Sequence, residues 1–108
     1  MVRAFNREAL ELLAERFKIL GEPMRLRILQ ALRSGEKTVT ELVEELGTGQ
    51  ANVSKHLGLL HRQRMVGRRK EGLNVYYWIS DPAIFRVCDL MCDSMEAELE
   101  KSHRALGG

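Results

Sequence analysis

Cysteine is nearly missing from this chain: Cys88 and Cys92 are the whole supply. Two thiols four residues apart are no disulfide framework, and in a reducing compartment they read as free thiols or as ligands. Long apolar runs are also missing, so nothing is long enough to span a bilayer. Residues 1–20 lack the apolar centre of a signal peptide and instead carry Arg3, Arg7, Glu8, Glu11, Glu15 and Arg16 at helical intervals. A cytoplasmic protein with no membrane partner is expected. There is no Gly-rich phosphate loop, no paired carboxylate with a cleft, and no cysteine–histidine arrangement, so an enzyme is not expected and no cofactor is required. The absence that points furthest is local. Between Thr48 and Lys70 there is no acidic residue, while Lys55, Arg62, Arg64, Arg68, Arg69 and Lys70 are basic, so a formal net charge of +2 hides a concentrated excess.

What is present organises into one expected domain, residues 1–108, small enough that dimerisation is a way to bury more apolar surface. Leu10, Leu13, Phe17 and Leu20 fall on one face of a first helix from about residue 5. Gly21, suited to a left-handed position, ends it. Pro23 suits the first position of a second, short helix carrying Leu26, Ile28, Leu29 and Leu32 and ending at Ser34 and Gly35. Thr38 with Glu41 three residues on forms a capping box for a third helix, whose stripe of Val39, Leu42, Val43 and Leu46 stops at Gly47.

A fourth helix, from about Gln50 to Arg64, buries Val53, Leu57 and Leu60 and turns Gln50, Ala51, Ser54, Lys55 and Gly58 outward. Short side chains on that face let a helix sit deep in a major groove, while Gln50 and Lys55 offer hydrogen bonds to bases or phosphates. Gly58 in mid-helix costs about 1 kcal/mol relative to alanine, which a close approach to another helix or to DNA would explain. The hydrophobic period then changes to two. Met65 to Glu71 and Asn74 to Ile79 read as strands joined at Gly72 and Leu73, with Arg68, Arg69 and Lys70 at the tip. Tyr76 and Trp78 share a face and are expected to anchor the hairpin to the core; stacking on single-stranded bases is the competing reading. Last, Ser80 or Asp81 caps a helix opened by Pro82, with Ile84, Cys88, Met91, Cys92, Met95 and Leu99 at spacings of three and four. So soft an apolar stripe at the end of a small protein suits a dimer interface shared with the first helix. The expected architecture is mainly α with a β-hairpin wing, a winged helix-turn-helix of order α-α-α-α-β-β-α. Its fourth helix would enter the major groove and its hairpin lie on the flanking backbone.

The stretches KILGEPMRLRILQAL and GQANVSKHLGLLHRQRMVGRRKEGLNVYYWIS resemble the ArsR/SmtB family of bacterial winged-helix repressors, over nearly the whole chain. The most specific pieces are Leu20, Pro23, Arg25, Arg27, Ile28 and Leu29, then Val53, Ser54, His56, Leu57 and Leu60, then Val66, Arg69, Gly72 and Tyr76. The resemblance implies a homodimer built through the first and last helices that binds an inverted-repeat duplex operator until an inducer releases it. It implies DNA-reading residues Gln50, Ala51, Asn52, Ser54, Lys55 and His56, with Arg68, Arg69 and Lys70 in the wing. Two positions depart from the family pattern. Gly49 stands where a hydroxyl side chain usually caps the reading helix, so Thr48 is a candidate to shift its start. Arg64 stands where glycine usually ends it, which demands a positive φ or another exit.

The family's zinc positions on the last helix fall at Asp81, Ala83, Ser94 and Ala97, three of which cannot ligate. Its cysteine pair near the third helix falls on Glu41, Leu42, Val43 and Glu44. What remains for sensing is Cys88 and Cys92, one face of one helix, able to grip arsenic(III) or a soft divalent ion, or to react with an oxidant or reactive sulfur. A further ligand is needed. A second copy's pair would supply it; Asp89, Asp93 and His103 are the other candidates. A direct disulfide looks strained, because Cβ atoms four apart on a helix start about 5–6 Å apart, against roughly 3.8 Å in a disulfide. The competing reading makes both cysteines small core hydrophobes with the signal elsewhere. A protein-interaction module without DNA binding is the other alternative. His56 and His61 read as structural or phosphate-facing rather than as metal ligands.

Overall fold

The computed structural model describes residues 5–105, with side chains to residue 102. Among these the order is α1 (Arg7–Leu20), α2 (Pro23–Leu32), β1 (Lys37–Thr38), α3 (Val39–Leu46), α4 (Gln50–Arg62), β2 (Val66–Glu71), β3 (Asn74–Ile79) and α5 (Ala83–Ala105). The strands form one antiparallel sheet in the order β1-β3-β2. The expected element order is therefore found, with β1 added as a two-residue strand pairing Lys37 with Tyr77 and Thr38 with Tyr76. No helix among the described residues is long and apolar enough to cross a membrane.

Local chemistry explains the boundaries. Asn6 caps α1 through its side chain, which accepts from the Ala9 N–H at 2.8 Å. Gly21 closes α1 at φ −81°, so the left-handed turn expected there does not form; its N–H bonds back to the Phe17 carbonyl instead. At α3 the capping box is complete, the Thr38 hydroxyl accepting from the Glu41 N–H and the Glu41 carboxylate from the Thr38 N–H. Gly47 does take the left-handed conformation, φ 66°, and turns the chain from α3 into α4.

The exit from α4 is a Schellman turn built on an arginine. Arg64 sits at φ 59°, the Met65 N–H reaches back to the Leu60 carbonyl, and the Arg64 N–H reaches that of His61. Met65 and Leu60 are both fully buried and close the apolar contact that accompanies this motif. The Ser80 hydroxyl donates to the Arg64 carbonyl at 2.7 Å and holds the strained residue from the far side of the hairpin.

The core runs through Ile28, Leu29 and Leu32 of α2, Leu42 of α3, Val53, Leu57 and Leu60 of α4, Met65 and Val66 entering β2, Tyr77 of β3 and Ile84 at the start of α5. The aromatic anchor of the hairpin is Tyr77, not Tyr76 and Trp78, which lie half-buried on the opposite face of the sheet. Asp81 caps α5, its carboxylate accepting from the Ala83 N–H.

Candidate nucleic-acid interface

α4 is seated by residues on both sides of it. Its cap is Gly49, with no side-chain hydrogen bond. Thr48 does not shift the start; its hydroxyl accepts instead from the Asn52 side-chain amide at 3.1 Å. The first turn of α4 is thus free of acid and has backbone N–H groups uncovered by any cap, an end with partial positive charge. Gln50, Ala51, Ser54 and Lys55 are exposed, and Asn52 is half-buried under its bond to Thr48. A Cβ added at Gly58 would meet nothing from the rest of the chain. Packing against another helix of the same chain therefore does not explain this glycine.

His56 corrects an expectation. The family resemblance implies a DNA-reading role for it, yet only 6% of its surface is exposed. Its Nδ1 is 3.1 Å from the Arg25 guanidinium, a group that can only donate, so Nδ1 accepts and the proton sits on Nε2, 3.9 Å from the Glu22 carboxylate. Burial pushes the imidazole below its ordinary value, against the opposing pull of Glu22. Arg25 also donates through Nε to the Ile19 carbonyl at the end of α1. The Glu22 side chain, its carboxyl lowered by the hydrogen bond from the Arg25 N–H, caps α2. His56 is thus the pin that fixes α4 to the α1–α2 corner. Arg27 does similar work nearby, donating to the Leu46 carbonyl at the end of α3.

The wing divides its cations between two faces. Register pairs Arg68 with Tyr77, Arg69 with Tyr76 and Lys70 with Val75, so the three basic residues lie along β2 and not at the tip, which is Gly72 and Leu73. Strand alternation puts Arg68 and Lys70 on the face of Tyr77 and Val75, and Arg69 on the other. Arg69 is committed there: its guanidinium pairs with both carboxylate oxygens of Glu36, reaches Glu71 at 3.5 Å, and lies 4.5 Å over the Tyr76 ring and 6.0 Å from that of Trp78. The Glu36 carboxyl is held low by this pairing and the guanidinium is driven higher. Arg69 is therefore a strut tying the hairpin to the segment before β1, on the face of the wing opposite Arg68 and Lys70. Gly67 completes the strut, because the Trp78 ring covers it so closely that a Cβ would collide with the indole. Arg68 and Lys70 are exposed and have no ion pair among the described residues. Between wing and α4 lies a depression of about 160 Å³ lined by Thr38, Thr40, Gln50, Ser54, Leu73 and Asn74, among others. Thr40 and Leu73 were not expected at this surface. Thr40 carries a sequence signal all the same: it is the outward residue in the first turn of the helix before the turn.

On α5, Cys88 is half-buried against the core and Cys92 is exposed. Burial raises the Cys88 thiol, helped by Cys92 and Asp89 and opposed by Arg33. Asp89 is bidentate to Arg33 at 2.9 and 3.2 Å, and Arg33 stacks on Phe85 at 4.6 Å, so this pair fastens α5 to the end of α2. Among the described residues no three His, Cys, Asp or Glu side chains gather as a metal site; the side chain of His103 lies outside them. Asp93 is exposed.

A helix-turn-helix whose second helix presents an acid-free face and is followed by a basic hairpin defines a winged helix-turn-helix regulator that binds DNA. Comparison with known proteins gives the family. Residues 22–67 match the model of the bacterial regulatory protein, arsR family, and the chain belongs to that family. It is 31% identical over 100 residues to the HTH-type transcriptional regulator KmtR of Mycobacterium tuberculosis, covering 90% of this chain and 77% of that one. Its fold superimposes on the AntR antimony-specific transcriptional repressor with a TM-score of 0.78, at 33% identity over 91% of this chain and 90% of the other. It likewise matches a homodimeric winged helix-turn-helix DNA-binding domain from Mycobacterium bovis (TM-score 0.73, 28% identity, 89% and 91% covered).

Proposed function

We propose that this chain is a homodimeric repressor that reads an inverted-repeat operator with α4 and the wing and is released when Cys88 and Cys92 take up a thiol-reactive inducer. One observation carries the DNA reading: Gln50, Ala51, Ser54 and Lys55 are all exposed on α4, within a stretch from Thr48 to Lys70 that has no acid. Asn52 joins them by setting the first turn of the helix. Arg68 and Lys70 supply phosphate contacts; His56 acts behind the surface as a pin, and Arg69, exposed on the other face of the wing, acts as a strut.

Dimerisation is supported by apolar side chains left open on the end helices: Phe5 before α1, Leu12 and Phe17 on it, and Leu90, Met91 and Leu99 on α5, each more than half exposed. A homodimeric structural relative agrees with this. The two cysteines lie on that same open helix, and among the described residues no third ligand gathers beside them, so a second copy's pair would complete an ion's shell. Four thiolates from two chains suit a tetrahedral soft metal, and three suit arsenic(III) or antimony(III). The likeness to an antimony-specific repressor favours the soft-ion class. Because Cys88 packs against the core, a purely structural role for it is the second reading.

Fluorescence anisotropy of the reduced protein on duplex DNA from its own upstream region tests both parts. Titration runs in turn with arsenite, antimonite, cadmium, zinc and a polysulfide, with Cys88→Ser/Cys92→Ser alongside. Release in the wild type and not in the variant is expected for one of them. Binding untouched by all five assigns the cysteines to the core.

A further inference from the structure

Leu73 is 100% exposed. It follows Gly72, whose φ of 62° makes the turn between β2 and β3, so the hairpin holds this leucine at its outermost point. An apolar side chain in full contact with water contributes nothing to the fold, and its neighbours are specific. It lines the same depression as Gln50 and Ser54, the first outward residues of α4. Arg68 and Lys70 stand on the strand leading to it, on the sheet face of Tyr77 and Val75, which line that depression, while Glu71, the one acid near the tip, is turned to the opposite face and reaches Arg69.

Six residues of β2 extend about 20 Å. That is enough, with α4 in a major groove, for the tip to pass the phosphate ridge and meet the adjoining minor groove, which is about 6 Å wide. Arg68 and Lys70 would then lie at the ridge and the isobutyl group in the groove. Apolar side chains placed there press between base steps, and the cost of opening a step depends on which step it is.

We propose that Leu73 is a specificity-determining residue: an apolar wedge in the minor groove flanking each half-site, which reads the deformability of base steps that α4 never touches. This rests on the reading of α4 and the wing as a DNA surface. It adds a preference for flexible pyrimidine–purine steps at the flank, independent of phosphate charge.

The test is selection of bound duplexes from a random pool by the full chain, wild type and Leu73→Ser and Leu73→Met, followed by anisotropy on the winning sequences. Wild type is expected to enrich a half-site core plus pyrimidine–purine steps in the flank. Leu73→Ser is expected to keep the core, lose the flanking enrichment and bind about five- to tenfold more weakly, as suits the loss of one partly buried leucine side chain. Its thermal midpoint and the slope of affinity against salt stay unchanged, and Leu73→Met recovers most of the preference. Equal flanking preference and affinity in wild type and Leu73→Ser would overturn the wedge and leave α4 as the reader. Failure of the wild type to enrich any duplex would overturn the reading of α4 as well.

Discussion

From α2 to β3 most apolar side chains, the wing-tip Leu73 and the α2 residue Leu26 excepted, find their partners within the chain: Ile28, Leu42, Val53, Leu57 and Leu60 keep none of their surface in water. Along α1 and the outer length of α5 they do not, and Leu12, Leu90 and Met91 keep 63%, 71% and 59% of theirs. The first region carries α4, the helix proposed to face DNA; the second leaves open the apolar faces on which a second copy is proposed to pack. The two cysteines sit where the regions meet, Cys88 touching the core and Cys92 one turn beyond it. A ligand there would act on the boundary. To do so it must bind the free and DNA-bound conformations with different affinity, since equal affinity shifts nothing.

Substitutions at buried and open leucines should separate the regions most sharply. Leu57→Ala is expected to cost about 2–5 kcal/mol in urea unfolding, since the fully enclosed site cannot collapse around the void. Met91→Asp with Leu99→Asp should leave the helical content intact and turn the dimer into monomer in sedimentation. If those two aspartates unfold the chain instead, α5 belongs to the core and the contrast is lost.

The pin at His56 gives a pH-dependent arm. Burial favours the neutral ring, so its folded value lies below the unfolded one, near 6.5. Its contribution is complete above that value and is lost as pH falls through the depressed folded value, because the unfolded chain takes up the proton first. Urea midpoints should therefore fall between pH 7 and pH 5 in the wild type and fall less in His56→Gln. The low-lying carboxyls of Glu22, Glu36 and Asp89 add a separate loss only in the carboxylate range below that window. Identical slopes in both proteins would remove the pin. The smallest effect is at the Schellman turn: Arg64→Gly should stabilise by roughly 1 kcal/mol, because only glycine takes a positive φ without Cβ strain.

Much of this was legible in the sequence, for physical reasons that vary by element. The helices follow from apolar spacing and caps, and the demand for a positive φ at Arg64 follows from the missing glycine. His56 was readable as well: Val53, His56, Leu57 and Leu60 occupy i, i+3, i+4 and i+7, a buried stripe that includes the histidine. The hairpin aromatics were less so. The run from Val75 to Ile79 favours extended structure at every position, and both faces are partly covered, so alternation does not say which face meets the core. Arg69 was illegible in kind. Its partner Glu36 is 33 residues away, and nothing local separates a strut from a phosphate contact.

The proposed hold of α4 and the wing on duplex DNA works through exposed cations. Its most direct test is the dissociation constant of the wild type on duplex DNA from 50 to 300 mM salt, beside Gln50→Ala/Lys55→Ala. With Lys55, Arg68 and Lys70 facing phosphates in each protomer of a dimer, log affinity should fall against log salt with a slope of about −5. The double variant should stay folded and dimeric, bind far more weakly and show a shallower slope. Salt-independent binding, or a double variant that binds as the wild type does, would rule this surface out.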